Sequence, residues 1–277
     1  MNNIRTKLAA VAFVLLAAGP ALAGKGGSAS LIRSAVQSGS VDAIVAEVER
    51  AESLKCAECV QLVTNMLEDE RYAVREVAGW WFARRANLRD MMVPDFIADL
   101  QTGTTVQVRN AADFLGATVS YTALPALRAA ITRTDVGVDG KVAMVRAVKE
   151  LGHKDGNPVL VSAMADASPV VRAAAVTAWR DIRGQVSAAP IAALLTDADA
   201  KVRAEAATVV GAMNFTAGAA TLEVILLSDT DLYVRRNAAW ALGKLGQSSS
   251  RPALTVASTD ASGLVRGYAK AALATLR

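Results

Sequence analysis

A basic residue recurs along this chain at nearly constant spacing, usually after Val and at the opening of an Ala/Val-rich run: Arg75, Arg109, Lys141, Arg172, Arg203, Arg235 and Arg266. The steps are 34, 32, 31, 31, 32 and 31 residues. Six positions earlier stands an aspartate in six of the seven cases, namely Asp69, Asp135, Asp166, Asp197, Asp229 and Asp260, with Gly103 in the second. A fixed period in this range marks a chain built from repeats that stack on one another. Two positions after the aspartate come Ser168, Asp199, Asp231 and Ser262, side chains suited to accept from the free N–H groups of a first helical turn. Each repeat therefore reads as helix, tight turn, helix.

Spacing fixes the helices. Ile191, Leu194 and Leu195, and again Leu222, Ile225 and Leu226, recur at i, i+3 and i+4 and make one apolar stripe on the first helix of a repeat. The second helix carries small residues, as in Ala238, Ala239, Ala241 and Leu242, which allow close helix approach. A single hairpin cannot bury both stripes, but a stack can, so the expected fold is all-α, an α-solenoid of helical hairpins with a period of 31–34 residues. The repeated acid and base are expected to be structural. Each guanidinium can bridge the turn carboxylate of its own or the next repeat, giving a ladder of Asp69, Arg75, Asp166, Arg172, Asp197, Arg203, Asp229, Arg235, Asp260 and Arg266. Catalytic residues are normally unique in a chain, and these recur.

The amino end reads differently. Arg5 and Lys7 precede an unbroken apolar stretch of 11 residues from Leu8 to Ala18; Gly19 and Pro20 break it, and Ala21-Leu22-Ala23 supplies small residues for a peptidase. This is the pattern of a secretory signal peptide over residues 1–23, with cleavage expected after Ala23 and a periplasmic or secreted product. The apolar run is too short for a membrane anchor, which needs roughly 17 to 25 residues, and no membrane insertion is expected. Removing Arg5 and Lys7 leaves 28 basic against 26 acidic residues, so the basic pI is no argument for nucleic-acid binding. Gly24 to Ser28 reads as a flexible leader. Leu31 to Gln37 and Val41, Ile44, Val45 and Val48 suggest two helices without the Asp/Arg signature, so residues 24–54 are expected to be leader and N-terminal helical cap.

The segments Asp166-Ala-Ser-Pro-Val-Val-Arg-Ala-Ala-Ala-Val, Asp197-Ala-Asp-Ala-Lys-Val-Arg-Ala-Glu-Ala-Ala and Asp229-Thr-Asp-Leu-Tyr-Val-Arg-Arg-Asn-Ala-Ala-Trp-Ala-Leu-Gly resemble short HEAT repeats of the phycobilisome-lyase-like type. The resemblance covers roughly residues 55–277, seven repeats. It implies a stacked helical fold. Members of that family include chromophore lyase subunits, and most serve as interaction scaffolds, so the resemblance implies a non-catalytic protein that binds another protein.

Counted from the basic residue, position +6 is mostly Ala and expected to face inward, while +1, +5 and +9 form the opposite stripe of the second helix, expected to line the concave, partner-binding face. The +5 residues are Trp80, Phe114, Arg146, Thr177, Thr208, Trp240 and Ala271, and neighbouring +1 and +9 positions add Glu76, Arg84, Asn110, Arg236 and Lys244. Large aromatics on an exposed face contribute contact area at low entropic cost. The expected partner-binding residues are therefore Trp80, Arg84, Phe114, Arg146, Arg236 and Trp240, with Trp80, Arg84 and Phe114 in one aromatic and basic patch. The alternative is that packing between repeats buries these rings. Trp179, at +7, is expected in the core.

Cys56-Ala-Glu-Cys59 is the one feature with chemical potential. Cys59 falls at the start of a repeat's first helix, where the helix amino end stabilises a thiolate. Three readings stand: a disulfide formed after export, a buried thiol pair, and a redox or metal function. Val60 stands where haem attachment requires His, and zinc needs four ligands where this chain has two cysteines and one histidine, His153. No metal and no cofactor are expected, and no catalytic motif is present. Two functions follow: an exported non-catalytic scaffold for a protein partner, or a thiol redox or assembly factor using Cys56 and Cys59 on a chromophore or haem protein client.

Overall fold

Every regular element among the described residues is helical. The computed structural model describes residues 27–54 and 56–276; the expected signal peptide, its cleavage point and residues 24–26 of the leader lie outside them. The chain divides after Leu151 into two compact units, a division that the repeat spacing does not mark.

In the N-terminal unit the two helices outside the Asp/Arg signature are α1 (Ala29–Ser38) and α2 (Val41–Arg50). Ser28 and Ser40 cap them by accepting from the Leu31 and Ala43 N–H groups, and Gly39 ends α1 at φ 73°, a left-handed conformation that costs glycine little. There follow α3 (Ala57–Met66), α4 (Tyr72–Ala83), α5 (Ala86–Thr102), α6 (Thr105–Ala117), α7 (Leu124–Ala130) and α8 (Val138–Leu151). Helices α2, α4, α6 and α8 pack in a row, each against the next, while α1 packs on α3 and α5 on α7. Ile32, Val48, Trp81, Phe82, Leu100 and Leu115 are fully buried.

Arg85 ties the cap to the first repeat. Its guanidinium lies 3.2 Å from the Trp81 ring centroid and donates to the carbonyls of Ala51, Glu52 and Leu54 beyond the end of α2. The Trp81 indole N–H donates to the same Ala51 carbonyl at 3.0 Å. Burial, reinforced by the neighbouring Arg84 charge, pulls the Arg85 guanidinium down to about 10.

The C-terminal unit comprises α9 (Asn157–Met164), α10 (Pro169–Arg180), the short α11 (Ala189–Ala192) continued by a 3-10 turn over Ala193–Thr196, α12 (Ala200–Ala212), α13 (Ala219–Ser228), α14 (Leu232–Leu245), α15 (Arg251–Ala257) and α16 (Gly263–Thr275). Here α10, α12, α14 and α16 form the row. A Cβ at Gly211 would lie 2.7 Å from the Ala241 Cα, so α12 and α14 touch backbone to backbone. Trp179 is buried, its indole N–H donating to the Ser187 carbonyl at 2.9 Å.

The ladder is regular in this unit. Arg172 binds both carboxylate oxygens of Asp197, the turn aspartate of the next repeat, at 2.8 and 2.7 Å. Arg203 binds Asp229 at 2.7 and 2.9 Å, and Arg235 binds Asp260 at 2.9 and 3.1 Å. The third guanidinium nitrogen of each, and that of Arg266, donates to the carbonyls of its own turn, at Asp166, Asp197, Asp229 and Asp260. Arg172, Arg203 and Arg235 thus each join two successive turns. The carboxylates of these aspartates also hold their own loops: Asp166 accepts from the Ser168 N–H at 2.8 Å and Asp260 from the Ser262 N–H at 2.7 Å. Asp199 and Asp231 cap α12 and α14 with their side chains. Ser168 and Ser262 occupy the cap position but make no side-chain cap bond, contrary to expectation, although in all four turns the aspartate two residues earlier accepts from the backbone N–H of the cap residue.

Two expectations fail in the N-terminal unit. Arg75 makes the usual bonds to its own turn, at the Asp69 and Glu70 carbonyls, but the Asp69 carboxylate is taken by Arg71 and Gly103 leaves the next turn without one. Arg75 turns instead to Asp113 on α6, with its Nε 2.8 Å from Oδ2. Phe114, expected on the exposed stripe, is 1% exposed, stacked on Phe96 at 4.3 Å and edge-on to Phe82. The cause is register. Arg75, Lys141, Arg172, Arg203, Arg235 and Arg266 are each the fourth residue of their helix, whereas Arg109 is the fifth of α6. The capping box of Thr104 and Gln107 fixes that start. Val108 is the true equivalent, so Asp113 aligns with Trp80 and Arg146, and Phe114 aligns with buried Trp81 and Ala147. A one-residue slip turns a helix by about 100°, enough to exchange a solvent position for a core one.

Candidate functional site

In the N-terminal unit the second helices α4, α6 and α8 enclose a shallow pocket of about 130 Å³. Helix α4 contributes Tyr72, Glu76 and Trp80, residues four apart that share one face. Helix α6 contributes Asp113, Gly116 and Ala117, and α8 contributes Arg146, Ala147 and Glu150. Small residues make this possible. A Cβ at Gly116 would lie 2.8 Å from the Ala147 Cα and one at Gly79 2.6 Å from the Ala117 Cβ, so the helices pack too closely for larger side chains there.

Charge and aromatic surface converge on it. Asp113 is 5% exposed; Arg75 holds its Oδ2 through Nε and Nη2, and Oδ1 has no hydrogen-bond partner. Arg146 lies 3.4 Å from that Oδ1, beyond the usual N–H···O range. Burial raises the Asp113 carboxyl above its ordinary value against the pull of Arg146 and Arg75. The Arg146 guanidinium stacks over Tyr72, 3.7 Å from the ring centroid, and the Tyr72 hydroxyl donates to Glu76 at 3.0 Å. Burial and the Glu76 charge push the Tyr72 phenol well above its ordinary value. Glu76 and Glu150 are exposed and Trp80 half-buried.

Of the expected binding residues, the structure brings Trp80 and Arg146 together here. Arg84 lies just outside, stacked 3.7 Å over the Trp80 ring and bonded to Glu52. Phe114 is absent from the pocket for the register reason above. Arg236 and Trp240 belong to the C-terminal unit: Arg236 lies 5.3 and 6.0 Å from the Tyr233 and Tyr268 ring centroids, and the Lys244 ammonium sits 5.7 Å from Trp240. Asp113 and Tyr72 carry much of the site and were not singled out in the sequence. The readable signal for Asp113 was an acid within an otherwise Ala-rich helix in the one repeat whose turn lacks aspartate.

At the amino end of α3, Cys56 occupies the cap position and its sulfur accepts from the Cys59 N–H at 3.0 Å. The two sulfurs lie against each other with Cα atoms 5.2 Å apart, inside the span a disulfide bridges; Cys59 is fully buried. His153 sits in an exposed turn, its Nδ1 accepting from the Asp155 N–H. Among the described residues no group of three or more His, Cys, Asp or Glu side chains is placed to hold a metal, and no helix is long and apolar enough to cross a membrane.

Residues 187–274 match the family of HEAT repeats. Over 99% of both chains the fold is similar to that of YibA from Escherichia coli, with TM-score 0.55 and 15% identity. It is also similar to an engineered protein, with TM-score 0.50 and 19% identity over 100% of this chain and 86% of that one. The complex of CpcE and CpcF of phycocyanin lyase from Nostoc aligns with 78% of this chain and 86% of its own at TM-score 0.40 and 21% identity, a likeness too slight to carry an activity across. No curated protein matches the sequence. Hairpin follows hairpin in both units, Arg172, Arg203 and Arg235 each lock to the turn of the next repeat, and the sequence of residues 187–274 matches the family: that segment is built of HEAT repeats.

Proposed function

We propose that this protein is an exported, non-catalytic scaffold that binds another protein through the face of its N-terminal unit formed by α4, α6 and α8. The observation that supports this reading is the pocket itself. It combines a half-buried tryptophan, a stacked Tyr72–Arg146 pair and two exposed carboxylates, Glu76 and Glu150, surface chemistry suited to anchoring a side chain. The lining contains no serine, threonine, cysteine, histidine or lysine, which favours binding over catalysis. The test is recovery of a bound protein from the exported fraction by wild type and by Trp80→Ala, with melting of both followed in parallel. Loss of recovery with an unchanged melting temperature supports the reading. Unchanged recovery by a folded Trp80→Ala protein counts against it.

Export rests on the apolar and small-residue pattern of residues 8–23 and is tested by sequencing the amino terminus of protein recovered outside the cytoplasm, which should begin at Gly24. In that compartment Cys56 and Cys59 form a disulfide in our reading, in keeping with their Cα spacing. The placement of Cys56 at a helix amino end also favours a second reading, a working redox pair with a chromophore or haem protein client. A reduction potential decides between them: a structural bridge should lie below about −300 mV and a working one well above it.

A further inference from the structure

We propose that the C-terminal unit carries a second docking surface, independent of the pocket above, on which α14 receives an extended acidic segment of a partner protein, two carboxylates flanking an apolar side chain. Arg236 is built to take one of those carboxylates. Its Nε donates to the Asn237 Oδ1 at 2.8 Å, and Asn237 is itself anchored on α12, donating to the Ala204 carbonyl at 2.9 Å and to the Thr208 hydroxyl at 3.1 Å. The exposed Tyr233 and Tyr268 rings lie beside the guanidinium. It is thus held from one edge, and its two terminal nitrogens make no hydrogen bond or ion pair among the described residues, an arrangement in which a guanidinium can take a carboxylate end-on through two parallel bonds. The same pair recurs on α6, where the Arg109 Nε donates to the Asn110 Oδ1 at 3.1 Å and the charge acts on the Asp113 carboxylate. On α14 Trp240 stands at the register of Asp113, so Arg236 lacks the acid that its counterpart has.

Register sets the spacing. Arg236, Trp240 and Lys244 follow one another at four-residue steps on one face of α14, which places the two cations about 12 Å apart along the helix axis. Lys244 is exposed, sits 5.7 Å from the Trp240 ring centroid and pairs with no carboxylate among the described residues. The same register on the flanking helices is small, with Ala204 and Thr208 on α12 and Gly267 and Ala271 on α16, so the three long side chains of α14 stand clear for a chain laid over them. The acids nearby are engaged elsewhere. Asp231 accepts from the Tyr233 and Val234 N–H groups, and Glu205 holds the register of Asn237, the position that on α14 bonds back to the preceding helix. An anion is therefore favoured over a cation. In an extended segment alternate side chains share a face and four residues span about 13 Å, so acid, spacer, apolar residue, spacer, acid sets a carboxylate on each cation and an apolar group on Trp240. A nucleic-acid strand, charged at every nucleotide, is tracked by a continuous groove of cations; two cations suit a short acidic segment.

The experiment titrates the full chain with the peptide acetyl-Ser-Glu-Ser-Leu-Ser-Glu-Ser-amide, following the Trp240 indole N–H resonance, and repeats the titration with both glutamates replaced by glutamine, with both replaced by lysine, with the two glutamates adjacent, and with oligothymidylate. The spaced glutamate peptide should shift that resonance saturably and bind at least about tenfold more tightly than the glutamine or adjacent-glutamate peptide, the fold expected for a charge-assisted hydrogen bond, and added salt should weaken it. Lys244→Gln, at an exposed position without an ion pair, should weaken binding without moving the melting temperature. Arg236→Gln should weaken it too, and because that change also touches Asn237 the Lys244 variant keeps the test independent of folding. Trp80→Ala, in the other unit, should leave it unchanged. Equal binding of the glutamine or adjacent-glutamate peptide, tighter binding of the lysine peptide or of oligothymidylate, full binding by Lys244→Gln, or no saturable shift overturns the proposal. Loss of peptide binding in Trp80→Ala overturns it as well, because the segment would then lie on the N-terminal unit.

Discussion

Arg75 and Asp113 are joined across 38 residues by two contacts, Nε to Oδ2 at 2.8 Å and Nη2 to the same oxygen at 2.7 Å. In the C-terminal unit the corresponding bases reach a turn aspartate only 25 or 26 residues away. The displaced acid changes what the pair does. A turn carboxylate lies at the edge of the repeat and keeps some contact with water, whereas Asp113 lies inside the row of second helices, and Arg75 is 3% exposed. One repeat thus has its ladder contact moved from the turn onto the face that carries the pocket.

Breaking that pair should cost more than breaking a turn pair. Asp113→Ala leaves a buried guanidinium without its counter-ion, a loss of about 3–5 kcal/mol. Arg203→Ala removes a partly solvated contact and should cost about 1–3 kcal/mol. Denaturant unfolding, with Trp80 and Trp81 reporting on the N-terminal unit and Trp179 and Trp240 on the C-terminal one, gives both numbers. Equal costs would show that burial of the Asp113 pair adds nothing.

The repeat architecture was legible because one acid and one base, six residues apart, recur along the chain, and in the C-terminal unit Arg172, Arg203 and Arg235 each meet the turn aspartate of the next repeat. The pocket was only half legible. Trp80 and Arg146 were readable because their repeats keep the base at the fourth helical position. Phe114 was misassigned and Asp113 passed over because Arg109 imitates that base one residue late; taking Val108 instead divides the interval from Arg75 to Lys141 into two equal steps of 33, and Thr104 four residues earlier matches the cap positions Ser168 and Asp199. Arg85 was not readable at all, since its partners are backbone carbonyls and leave no mark in the side-chain pattern.

Phe114 and Trp80 should now separate core from surface. Phe114→Ala removes a ring stacked on Phe96 and enclosed by Phe82, for a cost of about 3–5 kcal/mol. Trp80 is half-buried, so Trp80→Ala should cost clearly less stability while removing a wall of the pocket. Melting curves of the two variants side by side check the order, and a Trp80 variant as unstable as the Phe114 variant would remove the tryptophan from the binding face.

Arg85 should govern the amino-terminal helices locally. It holds three carbonyls past the end of α2, and those contacts have no substitute in Arg85→Ala. Hydrogen exchange should show the α1 and α2 amides losing protection while those of α6 and α8 keep theirs, because the loss releases one hairpin from its neighbour and leaves the remaining interfaces intact. Uniform loss of protection through the N-terminal unit would mean that the cap and the repeats unfold as one.

Acid should act on the two kinds of pair in opposite directions. The bonds from Arg172 and Arg235 hold the Asp197 and Asp260 carboxyls below their ordinary value; at Asp229 burial opposes the Arg203 bonds, and the bonds prevail. A carboxyl whose folded value is depressed contributes stability that is fully present above its unfolded value, near 3.8, and that is lost as pH falls through the folded value. Asp113 is raised, chiefly by burial, so its charge costs the folded state stability at neutral pH, and protonation relieves that cost as pH falls toward the unfolded value. The stability difference between wild type and Asp197→Asn should therefore shrink as pH is lowered below about 4. For Asp113→Asn, which keeps an acceptor for Arg75 but carries no charge, the stability of wild type relative to the variant should instead rise as pH falls from 7 toward 4. Denaturant unfolding of the three proteins at stepped pH measures both trends. A wild-type advantage over Asp197→Asn that stays constant down to pH 2 would show that the ladder aspartates are not depressed, and a flat comparison for Asp113→Asn would show that burial of that carboxylate is fully offset by Arg75 and Arg146.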